Sequence, residues 1–154
     1  MKKCFEENFP GALTGPAAAR RYIDPLLKRG FSTENTLYAD SSCPDEINHD
    51  DETEDLPGLF HRFWGSIFPL SGLAGVPFAG KTGWAAFSGH CPEDGNICVL
   101  FAPHVGMHTN GNIGQVMREG QSSISLACGA AIGALTALKD DETCADFPNG
   151  YQDY

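Results

Sequence analysis

The sequence feature that most constrains the fold is an apolar run at residues 96–102, Asn-Ile-Cys-Val-Leu-Phe-Ala, which ends at Pro103 and His104. Apolar residues at both odd and even positions predict a strand that is buried on both faces, as in the middle of a parallel sheet. A second strand is predicted at residues 35–40. Helices are predicted at residues 17–29, where Pro25 breaks the helix, and at 56–66, 82–88 and 127–138. Strands that alternate with helices indicate an α/β fold.

The length of 154 residues is that of one domain. We predict a single compact domain over residues 1–154 with a small, mostly parallel sheet flanked by helices. In this scheme residues 1–34 form an N-terminal helical arm and residues 35–140 form the core.

The charge balance limits the classes of partner. Ten Lys and Arg residues against twenty Asp and Glu residues give a net charge of −10, which repels phosphate backbones and anionic headgroups. We therefore expect no nucleic-acid partner and no membrane partner. Lys2 and Lys3 are not followed by an apolar stretch, so no signal peptide is predicted, and we expect a cytoplasmic or organellar protein.

Six cysteines are present, at positions 4, 43, 91, 98, 128 and 144. An even number would suit disulfides in a small secreted protein, but the chain is longer than such scaffolds and carries no export signal. We therefore predict reduced thiols, some of them metal ligands.

Three of the residues that could carry chemistry follow predicted strands or begin a predicted helix. Cys43 and His104 each come just after a strand, and Cys128 lies in the first turn of the last helix. In open α/β sheets, reactive groups gather at these places. Two thiolates and an imidazole that meet at one point would form a zinc site with a fourth position for water. Spacing alone leaves the alternatives open, because Cys128 could also be a small buried residue and His104 a backbone-bonded histidine.

Four short motifs occur in the chain at residues 42–48 (Ser-Cys-Pro-Asp-Glu-Ile-Asn), 71–80 (Ser-Gly-Leu-Ala-Gly-Val-Pro-Phe-Ala-Gly), 101–106 (Phe-Ala-Pro-His-Val-Gly) and 127–129 (Ala-Cys-Gly). Their order and sequence resemble the limiting CO2-inducible protein B family, which is similar to a divergent branch of the β-type carbonic anhydrases. The resemblance extends from about residue 36 to residue 137.

The resemblance implies a function and a set of residues for it. Zinc would be held by Cys43, His104 and Cys128, and a zinc-bound hydroxide would hydrate CO2 reversibly to bicarbonate and a proton. Asp45 would orient the hydroxide or occupy the fourth coordination position. The resemblance also implies a homodimer with active sites near the subunit interface.

One position departs from the β-type pattern. Those enzymes pair the aspartate with an arginine two residues later, where this chain has Ile47; the resembling family places a basic residue slightly later, where His49 stands. Arg118 is the residue that we expect to replace the arginine.

The substrate and the proton each require further groups. CO2 is apolar, and we predict that Leu73, Val76 and Phe78 form the wall of its pocket. Proton export needs a group that titrates near neutral pH. We predict His90 for this role among the candidates, which are His49, His61, His90 and His108.

Three alternatives remain open at this stage. If Asp45 stays on the zinc, the protein would be a silent zinc module that binds bicarbonate or a protein partner. Residues 75–82, Gly-Val-Pro-Phe-Ala-Gly-Lys-Thr, also match the sequence pattern of a nucleotide-binding P-loop. However, Pro77 lacks one of the backbone N–H groups that would bind phosphate, and residues 68–72 make a poor strand before the loop. A Cys128 nucleophile with His104 as base is the weakest of the three, since no orienting residue can be named.

Overall fold

The computed structural model of the chain describes residues 2–48, 55–70, 72–76 and 80–139. Its helices are α1 (Lys2–Asn8), α2 (Gly15–Lys28), α3 (Leu56–Trp64), α4 (Lys81–Ser88) and α5 (Gly129–Lys139), and its strands are β1 (Thr36–Ser42), β2 (Ile67–Pro69), β3 (Asn96–Ala102), β4 (Gln115–Val116) and β5 (Ser125–Leu126). Short 3₁₀ turns lie at Glu46–Asn48 and Leu73–Gly75.

The main sheet has three parallel strands in the order β2-β1-β3. This confirms the predicted α/β fold with a small parallel sheet flanked by helices, and β3 has the predicted bounds. The prediction that residues 96–102 form a central strand is wrong for the described part of the chain, because β1 is central and β3 lies at the edge. On β3, Ile97 and Phe101 are 38% and 53% exposed, so their apolar side chains are not covered by the described residues.

Helices cover both faces of the sheet. Tyr38 and Ala39 are adjacent on β1 and therefore point to opposite faces. Tyr38 packs in one cluster with Ala19 and Ile23 of α2 and with residues of α3. Ala39 packs in a second cluster with Phe87 of α4. Helix α2 therefore contributes buried residues to the hydrophobic core.

Helix α2 continues through Pro25, which the sequence analysis expects to break it. Proline removes the hydrogen bond to the carbonyl of the residue four positions earlier, which here is Arg21. Both Pro25 and Arg21 are exposed, so water can hydrate that carbonyl. The helix therefore tolerates the proline.

The segment before the Gly-rich loop also differs from the prediction. Residues 68–72 are expected to make a poor strand, yet β2 pairs with β1 over three residues. The N–H of Leu70 donates to the carbonyl of Asp40 at 2.8 Å, so the nitrogen of Pro69 faces away from β1. A proline in that position of an edge strand costs no ladder hydrogen bond.

No helix within the described ranges combines the length and apolarity that crossing a bilayer requires.

Candidate metal centre

Two of the predicted ligands are brought together by the parallel pairing of β1 and β3. Ser42 and Ala102, the last residues of these strands, are register partners. The N–H of Cys43 donates to the carbonyl of Ala102 at 3.2 Å. Cys43 and His104 therefore leave the sheet side by side at its carboxyl edge, where α/β proteins place their sites.

Backbone hydrogen bonds bring the third residue, Cys128, to the same point. The N–H of Gly106 donates to the carbonyl of Ala127 at 2.7 Å, and the N–H of Ala127 donates to the carbonyl of Gly114 at 3.0 Å. A Cβ at Gly106 would lie 2.8 Å from the Cβ of Ala127, so glycine permits this close approach. Cys128 directly precedes α5, which begins two residues later than predicted.

The three side chains form a group that can hold a metal ion. The ligand atoms of Cys43, His104 and Cys128 all lie within 4.8 Å of one another, and the two Sγ atoms are 3.8 Å apart. Both cysteines are buried. Both imidazole nitrogens of His104 are buried without a hydrogen-bond partner among the described residues. Such atoms are costly unless something binds them, and a metal ion would bind one of the two nitrogens.

The Leu73–Gly75 turn supplies a donor to this group that the sequence analysis missed. The backbone N–H of Ala74 points to Sγ of Cys43 at 3.2 Å, and a donor in this position stabilises a thiolate. Ala74 has a φ of 61°, and Gly75 a φ of 72°. No side-chain pattern identifies a backbone donor, although the Gly-rich composition of the loop is a signal for an unusual backbone.

Asp45 lies beside the metal-ligand group. Its Oδ2 is 3.5 Å from Nε2 of His104, and its two carboxylate oxygens accept hydrogen bonds from Nη2 of Arg118 at 3.0 and 2.8 Å. Burial acts to raise the pKa of Asp45, but the hydrogen bonds from Arg118 and from the N–H of Ile47 outweigh it and hold the pKa below its ordinary value. The group next to the site is therefore a carboxylate.

Arg118 is fixed by two more acceptors. Its Nε donates to Oε1 of Glu46 at 2.5 Å, and its Nη1 donates to the carbonyl of Leu126 at 3.3 Å. Hydrogen bonds to Asp45 and then to Glu46 raise the pKa of Arg118. The structure thus brings Arg118 to Asp45, as predicted. The contact between Glu46 and Arg118 was not predicted from the sequence, although a second acidic residue next to Asp45 is a signal for an arginine that contacts both.

Two cavities border the group, one of about 910 Å³ and one of about 350 Å³, and His104 lines both. Leu73 and Val76, at 56% and 57% exposed, line neither of these two cavities. Phe78 lies outside the described residues. The apolar side chains of the smaller cavity come from other segments: Val105, Ile113, Ala127, Ala131, Ile132 and Leu135.

The candidate histidines for proton export are widely separated. The ring of His90 packs against the ring of Phe68 at 5.3 Å, and its neighbour Cys91 donates to the carbonyl of Asn96, the first residue of β3. Its neighbour is thus bonded at the start of β3, whereas His104 follows the end of β3, and the role of His90 stays a prediction. His61 of α3 lines the larger cavity. His49 is outside the described residues.

The P-loop-like segment is described only in part, since residues 77–79 fall outside the described ranges. A Cβ at Gly75 would lie 2.9 Å from both the nitrogen of Pro103 and the carbonyl oxygen of Ser41. Gly75 is therefore packed against the ends of β1 and β3, which leaves it no room to approach a phosphate.

Cys43, Cys91, Cys98 and Cys128 form no disulfide among the described residues. The side chains of Cys4 and Cys144 lie outside the description.

The chain is similar to a family of known proteins. A family model described as limiting CO2-inducible proteins B/C, β-carbonic anhydrases, matches residues 12–152. The crystal structure of PtLCIB4, a homolog of the limiting CO2-inducible protein LCIB, superposes with a TM-score of 0.76 at 32% sequence identity, over 97% of this chain and 60% of that chain. The crystal structure of LCIB superposes with a TM-score of 0.62 at 25% identity, over 96% of this chain and 55% of that chain.

The chain therefore spans about 55–60% of the length of these solved relatives. Among curated proteins, none matches it.

Proposed function

Since the chain belongs to the family of limiting CO2-inducible proteins B/C, β-carbonic anhydrases, we propose that it binds zinc and catalyses the reversible hydration of CO2 to bicarbonate and a proton. The observation that carries the proposal is the meeting of Cys43, His104 and Cys128 within 4.8 Å beside a carboxylate that Arg118 holds.

Zinc is the metal that this donor set favours. Two cysteines and one histidine are a known ligand set for catalytic zinc, which keeps a fourth position open. A zinc ion bound there supplies a Lewis acid that lowers the pKa of a coordinated water, so that a nucleophile is available near neutral pH. Two features of the chain suit metal binding: Ala74 donates to Sγ of Cys43, and the nitrogens of His104 make no hydrogen bond to the described residues.

Asp45 is proposed to orient the nucleophile by accepting a hydrogen bond from it. Its pKa is held below the ordinary value, so it stays an acceptor at neutral pH. Both of its oxygens are engaged by Arg118, which favours a carboxylate held beside the metal over one that closes the fourth position. Arg118 thus supplies the positive charge and the hydrogen-bond donor that Ile47 lacks.

The smaller cavity is proposed as the CO2 site. Its lining is largely apolar and includes both Cys128 and His104. An apolar wall favours the binding of uncharged CO2, because such a wall does not hold ordered water that the substrate must displace. This assignment replaces Leu73 and Val76 with Val105, Ile113 and Leu135.

We propose that the active form is a homodimer. Large apolar side chains near the site are exposed in one chain, where they would form a patch of a kind that usually marks an interface: Leu73, Val76, Phe101, Val105, Leu126 and Leu135. Sedimentation should give twice the mass of one chain, and Leu135→Glu should shift the protein toward the single-chain mass. A wild-type protein that sediments only as single chains contradicts this proposal.

The zinc site is tested by metal content. Wild-type protein should bind one zinc per chain, and Cys43→Ala, His104→Ala and Cys128→Ala should each lose most of it. Cys91→Ala is the matched control, since Cys91 is a free thiol outside the group. Full zinc retention in all three ligand variants rejects the site.

Activity is tested by stopped-flow CO2 hydration. The second candidate function is a silent zinc module, which is favoured by the short distance of 3.5 Å between Asp45 and His104. Zinc-loaded protein without hydration activity would support that candidate and reject the enzyme.

A further inference from the structure

We infer that His61 carries the proton of the hydration reaction from the metal site to solvent. This inference rests on the proposed function, in which each CO2 consumed with water yields one bicarbonate and one proton. The observation behind it is that His61 and His104 line the same cavity of about 910 Å³.

The larger cavity is too large and too polar for CO2 alone. Besides the two histidines it is lined by several polar or charged side chains: Asp40, Ser42, Asn48, Asp55 and Arg62. A cavity of about 910 Å³ has room for many water molecules. Water in it would connect the polar walls through hydrogen bonds.

His61 is the imidazole in this wall that is not a metal-ligand candidate. Asp40 already accepts hydrogen bonds from the N–H and the Oγ–H of Ser42. Asp55 already accepts a hydrogen bond from the N–H of Gly58. His104 is a metal-ligand candidate, and Arg62 stays protonated. An imidazole has an ordinary pKa near neutrality and two nitrogens, so it can accept a proton at one and release it at the other.

The position of His61 suits release to solvent. It is exposed on α3, where buffer bases can reach it. The other described histidines, His90 and His108, line neither cavity. In the proposed step, cavity water passes the proton to a neutral nitrogen of His61. The N–H bond at the other nitrogen then breaks, and its proton leaves on a buffer base, with no change in oxidation state.

Oxygen-18 exchange between CO2 and water tests the inference, because it measures interconversion of CO2 with bicarbonate separately from the proton-dependent release of labelled water. In zinc-loaded His61→Ala at low buffer concentration, interconversion should stay within about twofold of wild type. Release of labelled water should fall at least about tenfold, as expected for loss of a positioned proton-transfer group, and added imidazole should restore it. His108→Ala is the control and should match wild type.

Water release that is unchanged in His61→Ala, or a loss that imidazole does not restore, overturns the assignment. A second readout does not depend on activity. In an NMR titration of zinc-free and zinc-loaded protein, the His61 ring signals should respond to pH, which shows that the ring exchanges a proton with solvent; ring signals that do not respond also overturn it. Absence of interconversion in wild-type protein would instead reject the proposed function itself.

Discussion

Nη2 of Arg118 donates to both carboxylate oxygens of Asp45, at 3.0 and 2.8 Å, although the two residues are 73 positions apart. The side chains are 17% and 12% exposed, so the ion pair is largely shielded from solvent. The arginine that the β-type pattern places two residues after the aspartate is therefore supplied by a segment that follows β4. The positive charge and the hydrogen-bond donor of an arginine thus lie beside Asp45, although the residue two positions after it is Ile47.

Removing Arg118 should lower both activity and stability. Arg118→Ala leaves the Asp45 carboxylate without its main donor, and a carboxylate that loses its donor in a largely shielded position is destabilising. We expect the free energy of unfolding to fall and kcat/KM for CO2 to fall at least about tenfold. Zinc content should not change. Urea unfolding, stopped-flow kinetics and metal analysis measure the three quantities.

Glu46→Gln is the matched control for that variant. Glu46 also contacts Arg118, but its side chain is 70% exposed, and exposed ion pairs contribute about 0–1 kcal/mol. The control should therefore lose much less stability than Arg118→Ala. Equal losses in the two variants would mean that the contact with Asp45 has no special importance.

Metal binding should stabilise the fold. The three ligands come from the end of β1, from beyond β3 and from the start of α5, so an ion would link three separate segments. At a free zinc concentration of about 100 times Kd, linkage gives about 2.7 kcal/mol. We expect zinc to raise the Tm of metal-free wild-type protein and of Cys91→Ala, but not of Cys43→Ala. Thermal unfolding monitored by circular dichroism measures the shift, and an equal rise in Cys43→Ala would contradict the site.

Gly75 should be intolerant of any side chain. Its φ of 72° is unfavourable for other residues, and a Cβ would meet the backbone of Ser41 and Pro103 at 2.9 Å. Gly120 is a matched control, because its φ is 76° but a Cβ there would point into open space. Gly120→Ala should lose only the conformational cost of about 1–2 kcal/mol.

Gly75→Ala should lose more stability than Gly120→Ala and should also bind zinc more weakly. The reason is that displacement of the turn moves the N–H of Ala74 away from Cys43. Urea unfolding and zinc titration of the two variants check this, and equal behaviour would show that close packing at Gly75 is unimportant.

The part of the site that lies on the sheet could be predicted from sequence. Apolar runs indicate the strands, and parallel strands end at one edge, so Cys43 and His104 are expected to meet there. The approach of Cys128 depends on backbone hydrogen bonds among Gly106, Gly114 and Ala127. These bonds have no side-chain pattern, so the sequence proposes Cys128 only from its place at the start of a predicted helix and leaves alternatives open until the family resemblance is considered.

The surroundings of the site could be predicted less well. Leu73 and Val76 are apolar and adjacent to the motif, but sequence does not distinguish a pocket wall from an exposed surface. His90 follows a helix as expected, and its ring packs against Phe68 of β2. Hydrophobicity indicates that a side chain tends to be buried, but the fold determines which residues cover it.

The thiol of Cys98 should react slowly with alkylating reagents. Burial raises its pKa above the ordinary thiol value, so less thiolate is present at a given pH. The pH midpoint for iodoacetamide labelling of Cys98 should be higher in folded protein than in urea. Cleavage after Glu93 separates Cys98 from Cys91 for mass spectrometry.

The free energy of unfolding should also fall as pH rises past the ordinary thiol pKa, because the unfolded chain then binds fewer protons than the folded chain. Equal midpoints in folded and unfolded protein would contradict the prediction.

Tyr38→Phe should leave stability unchanged or increase it. Tyr38 is 1% exposed, and its hydroxyl has no hydrogen-bond partner among the described residues. Burial is also the main cause that raises the pKa of Tyr38. A buried hydroxyl without a partner costs about 1–3 kcal/mol in desolvation, and phenylalanine keeps the ring contacts with Phe60 and Trp64.

We therefore expect the free energy of unfolding of Tyr38→Phe, from urea titration, to equal that of wild type or to exceed it by up to about 1 kcal/mol. Tyr22→Phe is the matched control, because Tyr22 is 55% exposed and water already satisfies an exposed hydroxyl. It should behave like wild type. A loss of more than about 1 kcal/mol in Tyr38→Phe alone is the size of a broken hydrogen bond and would show that the hydroxyl has a partner in the folded protein.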